Sequence, residues 1–402
     1  MPRKNTPATP FDGLVGPEEV LKLSRELIRI PSMYTKEHAI AKFIHGRLDR
    51  WGFSPRYVQV DGYGPDVVAD IGEKSEPSVI FNGHMDTVDV VEGWKHDPFQ
   101  ARVEHGLLYG LGSLDMKCGL AAMMLAFRAL AESRCPRGYR VCFQAASGEE
   151  LTGAGTMALI KHGEFRRGKA VIVGEGFGGF NAVTNGRRGG SYYDIEVTGK
   201  SAHGAQPHLG VNAVIDASRI IVALDEMDLH SKGELLGDDF RPLKDTQLIQ
   251  KISGGGSSLT VPERCAFTVV RSTMPGSKID ATRDIERAIA RLGLRSRVMV
   301  KLRTGLTDPY YPHLTPAGSE IVTTARKVVK HATGRNPRLV CGVSEADDNL
   351  IARYTKVPVI SVGPGESGDL ARYHQSEEAI TISQLQHAPG IYARMASILG
   401  RG

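Results

Sequence analysis

The sequence SVIFNGHMDTVD, from Ser78 to Asp89, organises the rest of the chain. It begins as a short apolar run with β-branched residues and closes at Asn82-Gly83, a pattern typical of a buried strand that has reached its carboxyl end. His84 and Asp86 follow at once, and sites in open α/β sheets are built where strands end. We therefore expect His84 to bind a metal ion through one ring nitrogen while Asp86 fixes its tautomer. For this pair alone, a surface turn with an idle histidine is the alternative.

Composition excludes several classes of protein. With 402 residues and an apolar fraction of 41%, the chain is long enough for a large core and for two domains. Its net charge of +5, without a dense Lys/Arg block, argues against nucleic acid as a partner and fits a small-molecule enzyme. The five cysteines are odd in number and lack Cys-x-x-Cys spacing, so we expect neither a disulfide framework nor a zinc ribbon. We expect the protein to reside in a reducing compartment.

The beginning of the chain and the lengths of its apolar runs bear on location. The first dozen residues are charged but lack the apolar core of a signal peptide, and we expect them to form a loose arm. No run approaches membrane-spanning length. The expectation is a soluble, cytoplasmic protein that does not associate with a membrane.

Four further places carry side chains suited to a metal or to proton transfer. They are Asp115 in a glycine-rich loop before a helix, Glu149 and Glu150 after a strand over 139–146, Glu175 after a strand over 170–173, and His374 in the loop that follows a strand over 357–362. Each group has an ordinary alternative when taken alone, such as a helix N-cap, a solvated carboxylate or an exposed loop histidine.

The set is more specific than its members, because parallel strands bring distant positions of the chain to one edge of a sheet. Two histidines with three carboxylates suit two divalent ions, and one of the carboxylates can bridge them. One glutamate is then left over, and hydrolysis needs a spare carboxylate of this kind as a proton shuttle.

The pattern of elements predicts an α/β fold interrupted by a second domain. Residues 1–185 and 303–402 form the two parts of a catalytic domain with a mostly parallel, mixed sheet flanked by helices. Residues 186–302 show the order βαββαβ, which is typical of a ferredoxin-like α+β domain. Within it, residues 254–258 are interpreted as a flexible loop, and residues 304–316 as the linker that returns to the first domain.

Five motifs together resemble the M20 family of metallopeptidases and amidohydrolases. They are Gly83-His84-Met85-Asp86-Thr87, Gly112-Ser113-Leu114-Asp115-Met116-Lys117, Ser147-Gly148-Glu149-Glu150, Gly174-Glu175 and Ser201-Ala202-His203-Gly204-Ala205-Gln206-Pro207. That family includes acetylornithine deacetylase, succinyl-diaminopimelate desuccinylase, aminoacylase and glutamate carboxypeptidase. The similarity covers nearly the whole chain, with the motifs in the right order.

The resemblance implies a role for each candidate residue. Asp115 would bridge two divalent ions, His84 and Glu175 would complete one site, Glu150 and His374 would complete the other, Asp86 would orient His84, and Glu149 would be the general base. The implied ions are zinc in the first place, with cobalt or manganese as alternatives.

The resemblance also implies that the inserted domain is a lid that forms a homodimer. His203 would reach the partner's active site and help to hold the oxyanion of the tetrahedral intermediate, and Arg271 would bind a substrate carboxylate. Three departures from the family pattern affect the inserted domain and the segment that begins at His374. Leu259-Thr260-Val261-Pro262 replaces Asn-Val-Ile-Pro, Arg271 lies farther than usual from Pro275-Gly276, and His374-Gln375-Ser376-Glu377-Glu378 replaces His-x-x-Asn-Glu.

The expected function is hydrolysis of the amide bond in an N-acyl amino acid or small peptide that carries a free carboxylate. Glu149 would take the proton of the attacking water and pass it to the leaving amine. Two alternatives remain open at this point. The chain could be a carboxypeptidase or dipeptidase of the same family, or a metal-binding regulatory protein without catalysis on the same scaffold.

Overall fold

The computed structural model describes residues 14–134, 138–176, 178–229, 234–256, 259–365 and 372–401. The helices are α1 (Pro17–Ile28), α2 (His38–Arg50), α3 (Lys117–Glu132), α4 (Ala154–Lys161), α5 (Ala213–Asp225), α6 (Thr282–Ala290), α7 (Glu320–Thr333), α8 (Asp347–Thr355) and α9 (Ile382–Arg401). None of the helices in these ranges is long and apolar enough to cross a membrane.

The strands fall into three sheets. They are β1 (Arg56–Val58), β2 (Asp66–Ile71), β3 (Ser78–His84), β4 (Arg102–Glu104), β5 (Leu107–Tyr109), β6 (Arg140–Ala146), β7 (Gly168–Val173), β8 (Ala182–Arg187), β9 (Gly189–Thr198), β10 (Thr246–Gly254), β11 (Arg264–Thr273), β12 (Arg297–Leu302), β13 (His313–Leu314), β14 (Arg338–Gly342), β15 (Val359–Ser361) and β16 (Ala379–Thr381).

The large sheet has nine strands and is mixed. Its order is β1-β2-β6-β3-β7-β15-β8-β13, and β14 pairs with β8 beside this path. β3 lies between β6 and β7 and is parallel to both, whereas β1 and β2 run antiparallel at one edge. The expected fold class, a mixed sheet flanked by helices and joined to a second α+β unit, is therefore confirmed.

The core explains why the stretch that forms β3 contains a continuous run of apolar residues. All seven residues of β3 are buried, as are all seven of β6, because helices cover both faces of the parallel part of the sheet. α3 is buried along most of its length and packs against α1 and α9. The carboxyl end of β3 thus lies in the buried interior of the molecule.

A separate four-stranded sheet has the order β10-β11-β9-β12, with every neighbouring pair antiparallel. α5 and α6 pack on this sheet over a small core that contains Tyr193, Phe267 and Ile285. The chain order is β9, α5, β10, β11, α6, β12, which is the predicted βαββαβ sequence of elements. β10 is an edge strand, and most of its residues are exposed.

Some predictions need correction. The segment 304–316 is more than a linker, because β13 within it pairs with β8 and Tyr310 forms an isolated bridge with Gly190. Gly254, predicted to begin a loop, is the last residue of β10, while Ser257 and Ser258 lie outside the described residues. The predicted N-terminal arm lies largely outside them as well. The small sheet β16-β5-β4 was not predicted, because strands of three residues are too short to show a period.

Candidate metal centre

Three strand ends bring most of the predicted residues together. His84 is the last residue of β3, Glu149 and Glu150 follow β6 after a short turn, and Glu175 follows β7. β3 is parallel to β6 and β7, so their carboxyl ends lie at one edge of the sheet. Side chains from distant parts of the sequence therefore meet there, as expected for α/β sheets.

Asp115 lies in the turn that precedes α3. Hydrogen bonds to Glu378 hold this turn in place. The buried Glu378 carboxylate accepts hydrogen bonds from the backbone N–H groups of Gly112 (2.9 Å), Leu114 (2.6 Å) and Asp115 (3.2 Å). Burial raises the pKa of Glu378 to about 8. In the sequence, residues 374–378 stand out only as a departure from the family pattern. The contact of Glu378 with the backbone around Asp115 spans 263 residues, and no local sequence pattern indicates it.

Close backbone packing allows α3 to begin beside the end of β7. A Cβ atom added at Gly119 would lie 2.0 Å from the carbonyl oxygen of Gly174, so only glycine fits there. This close approach brings the Asp115 turn next to Glu175.

Asp115 joins two groups of side chains. One oxygen of Asp115 lies 2.9 Å from Nε2 of His84, and the other lies 3.3 Å from Nε2 of His374. His374 Nε2 is also 3.0 Å from Glu150. The ligand atoms of His84, Asp115 and Glu175 lie within 4.8 Å of one another, and so do those of Asp115, Glu150 and His374. These are the two groupings that the family resemblance implied.

Asp86 supports the centre in two ways. Its backbone carbonyl is the near partner of His84 Nδ1, at 3.1 Å, while its carboxylate Oδ1 lies 3.6 Å from the same nitrogen. The carboxylate accepts hydrogen bonds from the backbone N–H groups of Glu149 (3.2 Å) and Glu150 (3.0 Å). Asp86 therefore fixes the loop that carries both glutamates, a role that the sequence did not indicate.

The centre concentrates buried negative charge. Burial raises the pKa of Glu175 to about 8 and raises the pKa values of Glu149 and Glu150 as well. Hydrogen bonds to Asp115 and Glu150 raise the pKa of His374 to about 11. Oε1 of Glu150 is buried without a hydrogen-bond partner among the described residues. Buried carboxylates in such numbers are unfavourable unless cations share them, so the donor set fits two divalent ions.

A buried arginine supports the centre from behind. Arg187, at the end of β8, is fully buried and lies 2.6 Å from Asp348 and 3.9 Å from Glu175. Arg187 holds the pKa of Asp348 below its usual value, although burial acts in the opposite direction. No local pattern around Arg187 in the sequence indicates this ion pair with Asp348.

A cavity of about 510 Å³ opens over the centre. Its lining includes Asp115, Glu149, Glu150, Glu175 and His374 from the centre and Tyr192, Arg303, Thr307, Asp308, Tyr310, Ser344 and Glu345 from surrounding segments. The segment 304–316, predicted as a linker, therefore contributes part of the wall. Glu149 faces the cavity but belongs to neither group of ligand atoms.

Two residues that were predicted to contact substrate do not line this cavity. His203 is exposed on the loop after β9 and forms a bridge with Thr260. Arg271 is buried near the end of β11 and lines a different cavity. Their predicted contacts with substrate stay predictions.

Known proteins are similar to this chain over most of its length. The model of peptidase family M20/M25/M40 matches residues 80–397. A succinyl-diaminopimelate desuccinylase from Acinetobacter baylyi is 29% identical over an alignment of 391 residues, and the match covers 94% of this chain and 97% of that enzyme.

Two solved structures share the fold. Aminopeptidase PepT from Bacillus cereus has a TM-score of 0.78 at 21% identity, over 96% of this chain and 100% of that one. The YXEP protein of Bacillus subtilis, described as a dinuclear metal binding peptidase, has a TM-score of 0.72 at 15% identity, over 96% and 98%. Together with the match over residues 80–397, these findings show that the chain belongs to peptidase family M20/M25/M40 and is a metal-dependent amidohydrolase or peptidase.

Proposed function

We propose that this chain hydrolyses the amide bond of an N-acyl amino acid or small peptide with two divalent ions, zinc in the first place. His84, Asp115 and Glu175 would hold one ion, and Asp115, Glu150 and His374 the other. The observation that carries the proposal is the position of Asp115, whose two oxygens each face a different histidine, at 2.9 and 3.3 Å. A carboxylate with this geometry is suited to bridge two ions.

When bound, the ions would polarise the scissile carbonyl and lower the pKa of water. Glu149 is the residue of this chain that moves the proton. Its carboxylate lines the cavity, lies outside both ligand groups and is anchored through its backbone N–H to Asp86. Glu149 accepts a proton from the attacking water and passes it to the leaving amine. Burial raises the pKa of Glu149, which makes its carboxylate a better proton acceptor.

The charged residues that line the cavity beyond the ligand groups indicate which charges the substrate carries. Asp308 and Glu345 line the cavity, and neither has an ion-pair partner within 4.0 Å among the described residues. Arg303 also lines the cavity, but Asp194 already binds it through two hydrogen bonds of 2.8 and 2.6 Å. This part of the lining therefore favours a substrate that carries an ammonium group besides its free carboxylate. The diaminopimelate moiety named for the Acinetobacter relative has this chemistry.

A panel of substrates tests the proposed function. Release of free amine is measured for N-acetyl and N-succinyl amino acids and dipeptides, first with chelated protein and then after zinc, cobalt or manganese is restored. We expect turnover only with metal, and lower KM for substrates with an ammonium group than for their neutral analogues. In the Glu345→Gln variant this preference should shrink, while neutral substrates are cleaved as before.

The outcomes separate the remaining alternatives. Cleavage of dipeptides alone would favour an exopeptidase, the activity named for the Bacillus cereus neighbour. Tight metal binding without hydrolysis of any amide would contradict the proposal and favour a regulatory protein. Equal KM values for charged and neutral substrates would remove the role of Glu345 but leave the hydrolysis intact.

We further propose that residues 186–302 form a lid and dimerisation domain between the two parts of the catalytic domain, 1–185 and 303–402, in a cytoplasmic homodimer. Edge strand β10 exposes 59% of Leu248 and 55% of Ile252. Such exposed apolar side chains on an unpaired strand edge favour association. In the dimer, His203 of each chain would contribute to its partner's cavity as an oxyanion donor.

The dimer is tested by light scattering. We expect a mass of about twice the 43.6 kDa of one chain. Ile252→Lys places a charge on the exposed edge and should shift the mass towards that of a monomer. Tyr57→Lys, at an exposed tyrosine on β1 of the nine-stranded sheet, serves as the control and should leave the mass unchanged. A wild-type protein with the mass of a single chain would contradict the proposal.

A further inference from the structure

A second cavity, of about 520 Å³, lies between the end of α5, the end of β11 and α6. It is lined by Met227, Asp228, Leu229, Asp245, Arg271, Thr273, Ser277, Lys278, Asp284, Arg287, Ala288 and Arg291. None of these residues lines the cavity of the metal centre. The two cavities are thus separate within one chain.

Arg271 is the buried charge of this cavity. It is only 7% exposed, and the one hydrogen bond of its guanidinium among the described residues runs from Nη2 to the sulfur of Met227, at 3.3 Å. No carboxylate oxygen of the described chain lies within 4.0 Å of its guanidinium. Burial accordingly lowers the pKa of Arg271. Asp284 and Asp245 act on this buried cation only from beyond ion-pair distance, and an anion that enters the cavity would compensate its charge more fully.

The surroundings of Arg271 leave room for such an anion. Asp284 already pairs with Arg287 at 3.4 Å, and Asp245 accepts a hydrogen bond of 2.6 Å from the backbone of Met274. The hydroxyl of Ser277 is buried without a hydrogen-bond partner in the described part of the chain. A rotatable hydroxyl and a guanidinium are both donors to carboxylate and phosphate oxygens.

Cations outnumber carboxylates in the cavity lining, with Arg271, Lys278, Arg287 and Arg291 against Asp228, Asp245 and Asp284. Lys278, Arg287 and Arg291 line it and are exposed to solvent. Exposed cations around a recessed donor raise the local concentration of anions and speed their entry. Cations therefore stand at two depths of the cavity, at the rim and at its buried end.

We propose that this cavity binds the anionic group of a small molecule, a carboxylate or a phosphate, with Arg271 as the main donor and Ser277 as the second. Arg271 then serves a ligand other than the substrate held at the metal centre, in contrast to its predicted role. The bound anion connects β11 to the loop before α6 and stabilises this unit by mass action. The proposal does not depend on the reaction catalysed at the metal centre.

Calorimetric titration of the metal-loaded protein tests the proposal. Inorganic phosphate and glutarate are the probes, in separate titrations at ionic strength held constant with sodium chloride, so that the two kinds of anion are distinguished. We expect saturable binding of at least one probe and a higher unfolding temperature in its presence. Arg271→Met should weaken this binding by about tenfold or more, because it removes a charge-assisted donor pair.

Two further variants make the result decisive. Arg264→Met removes an exposed arginine of the same strand outside the cavity and should leave binding unchanged. Arg291→Gln alters only the exposed rim, so it keeps the test valid if Arg271→Met fails to fold, and it should weaken binding about threefold. Absence of binding to the wild type, or equal binding to all variants, would overturn the proposal. Displacement of the probe by a substrate of the metal centre would also overturn it, because Arg271 would then serve that substrate.

Discussion

The Glu149→Gln variant should lose most of its hydrolytic activity, with kcat lowered by about 10²- to 10⁴-fold, the range for loss of a general base. The amide of glutamine fills the same volume but cannot accept a proton at neutral pH. Glu149 belongs to neither group of ligand atoms, so the variant should keep its metal content. Steady-state kinetics and elemental analysis of the same preparation measure both quantities.

The control is Glu73→Gln, which makes the same chemical change at an exposed position far from the cavity. It should retain kcat and KM. If Glu149→Gln kept both metal and near-full turnover, proton transfer would have to be assigned to another group. If it lost metal instead, Glu149 would act as a ligand and the two-group arrangement around Asp115 would need revision.

Predictions from the sequence succeeded where an apolar run identifies a strand and the end of that strand carries the candidate side chain. The stretch from Ser78 to His84 forms β3 over the expected residues, since a strand covered on both faces carries consecutive apolar residues, here from Val79 to Phe81. The carboxyl ends of β3, β6 and β7 then meet by the rule for parallel strands, and the candidate side chains meet with them. Neither step requires knowledge of long-range contacts beyond the order of elements.

The supporting groups could not be found in this way, because each acts across a large sequence separation. Glu378 binds the turn of Asp115 across 263 residues, and Arg187 reaches Asp348 on α8. A buried glutamate that accepts three backbone hydrogen bonds has no local pattern that distinguishes it from a solvated one. Likewise, Asp86 was expected to orient His84, and its binding of the Glu149-Glu150 loop became visible only in three dimensions.

The Asp115→Asn variant should have the most severe effect, loss of both metal ions and of hydrolysis by about 10³-fold or more, since Lewis-acid catalysis contributes several kcal/mol to the barrier. In the native chain the two histidines hold the pKa of Asp115 below its usual value, although burial opposes ionisation, so both of its oxygens share the negative charge. Asparagine offers one neutral oxygen and one N–H group. It can therefore serve one ligand group at most, and its N–H group would face the other ion.

Glu175→Gln is the matched comparison for this prediction. Glu175 belongs only to the group with His84 and Asp115, so its loss should weaken one ion and leave the group of Asp115, Glu150 and His374 intact. Elemental analysis after gel filtration should thus find fewer ions in Asp115→Asn than in Glu175→Gln, with unfolding temperatures recorded to confirm folding. Equal loss in the two variants would mean that the ions bind cooperatively through residues other than Asp115. A fully loaded Asp115→Asn variant would show that Asp115 does not bridge the ions, and the basis of the proposed mechanism would be lost.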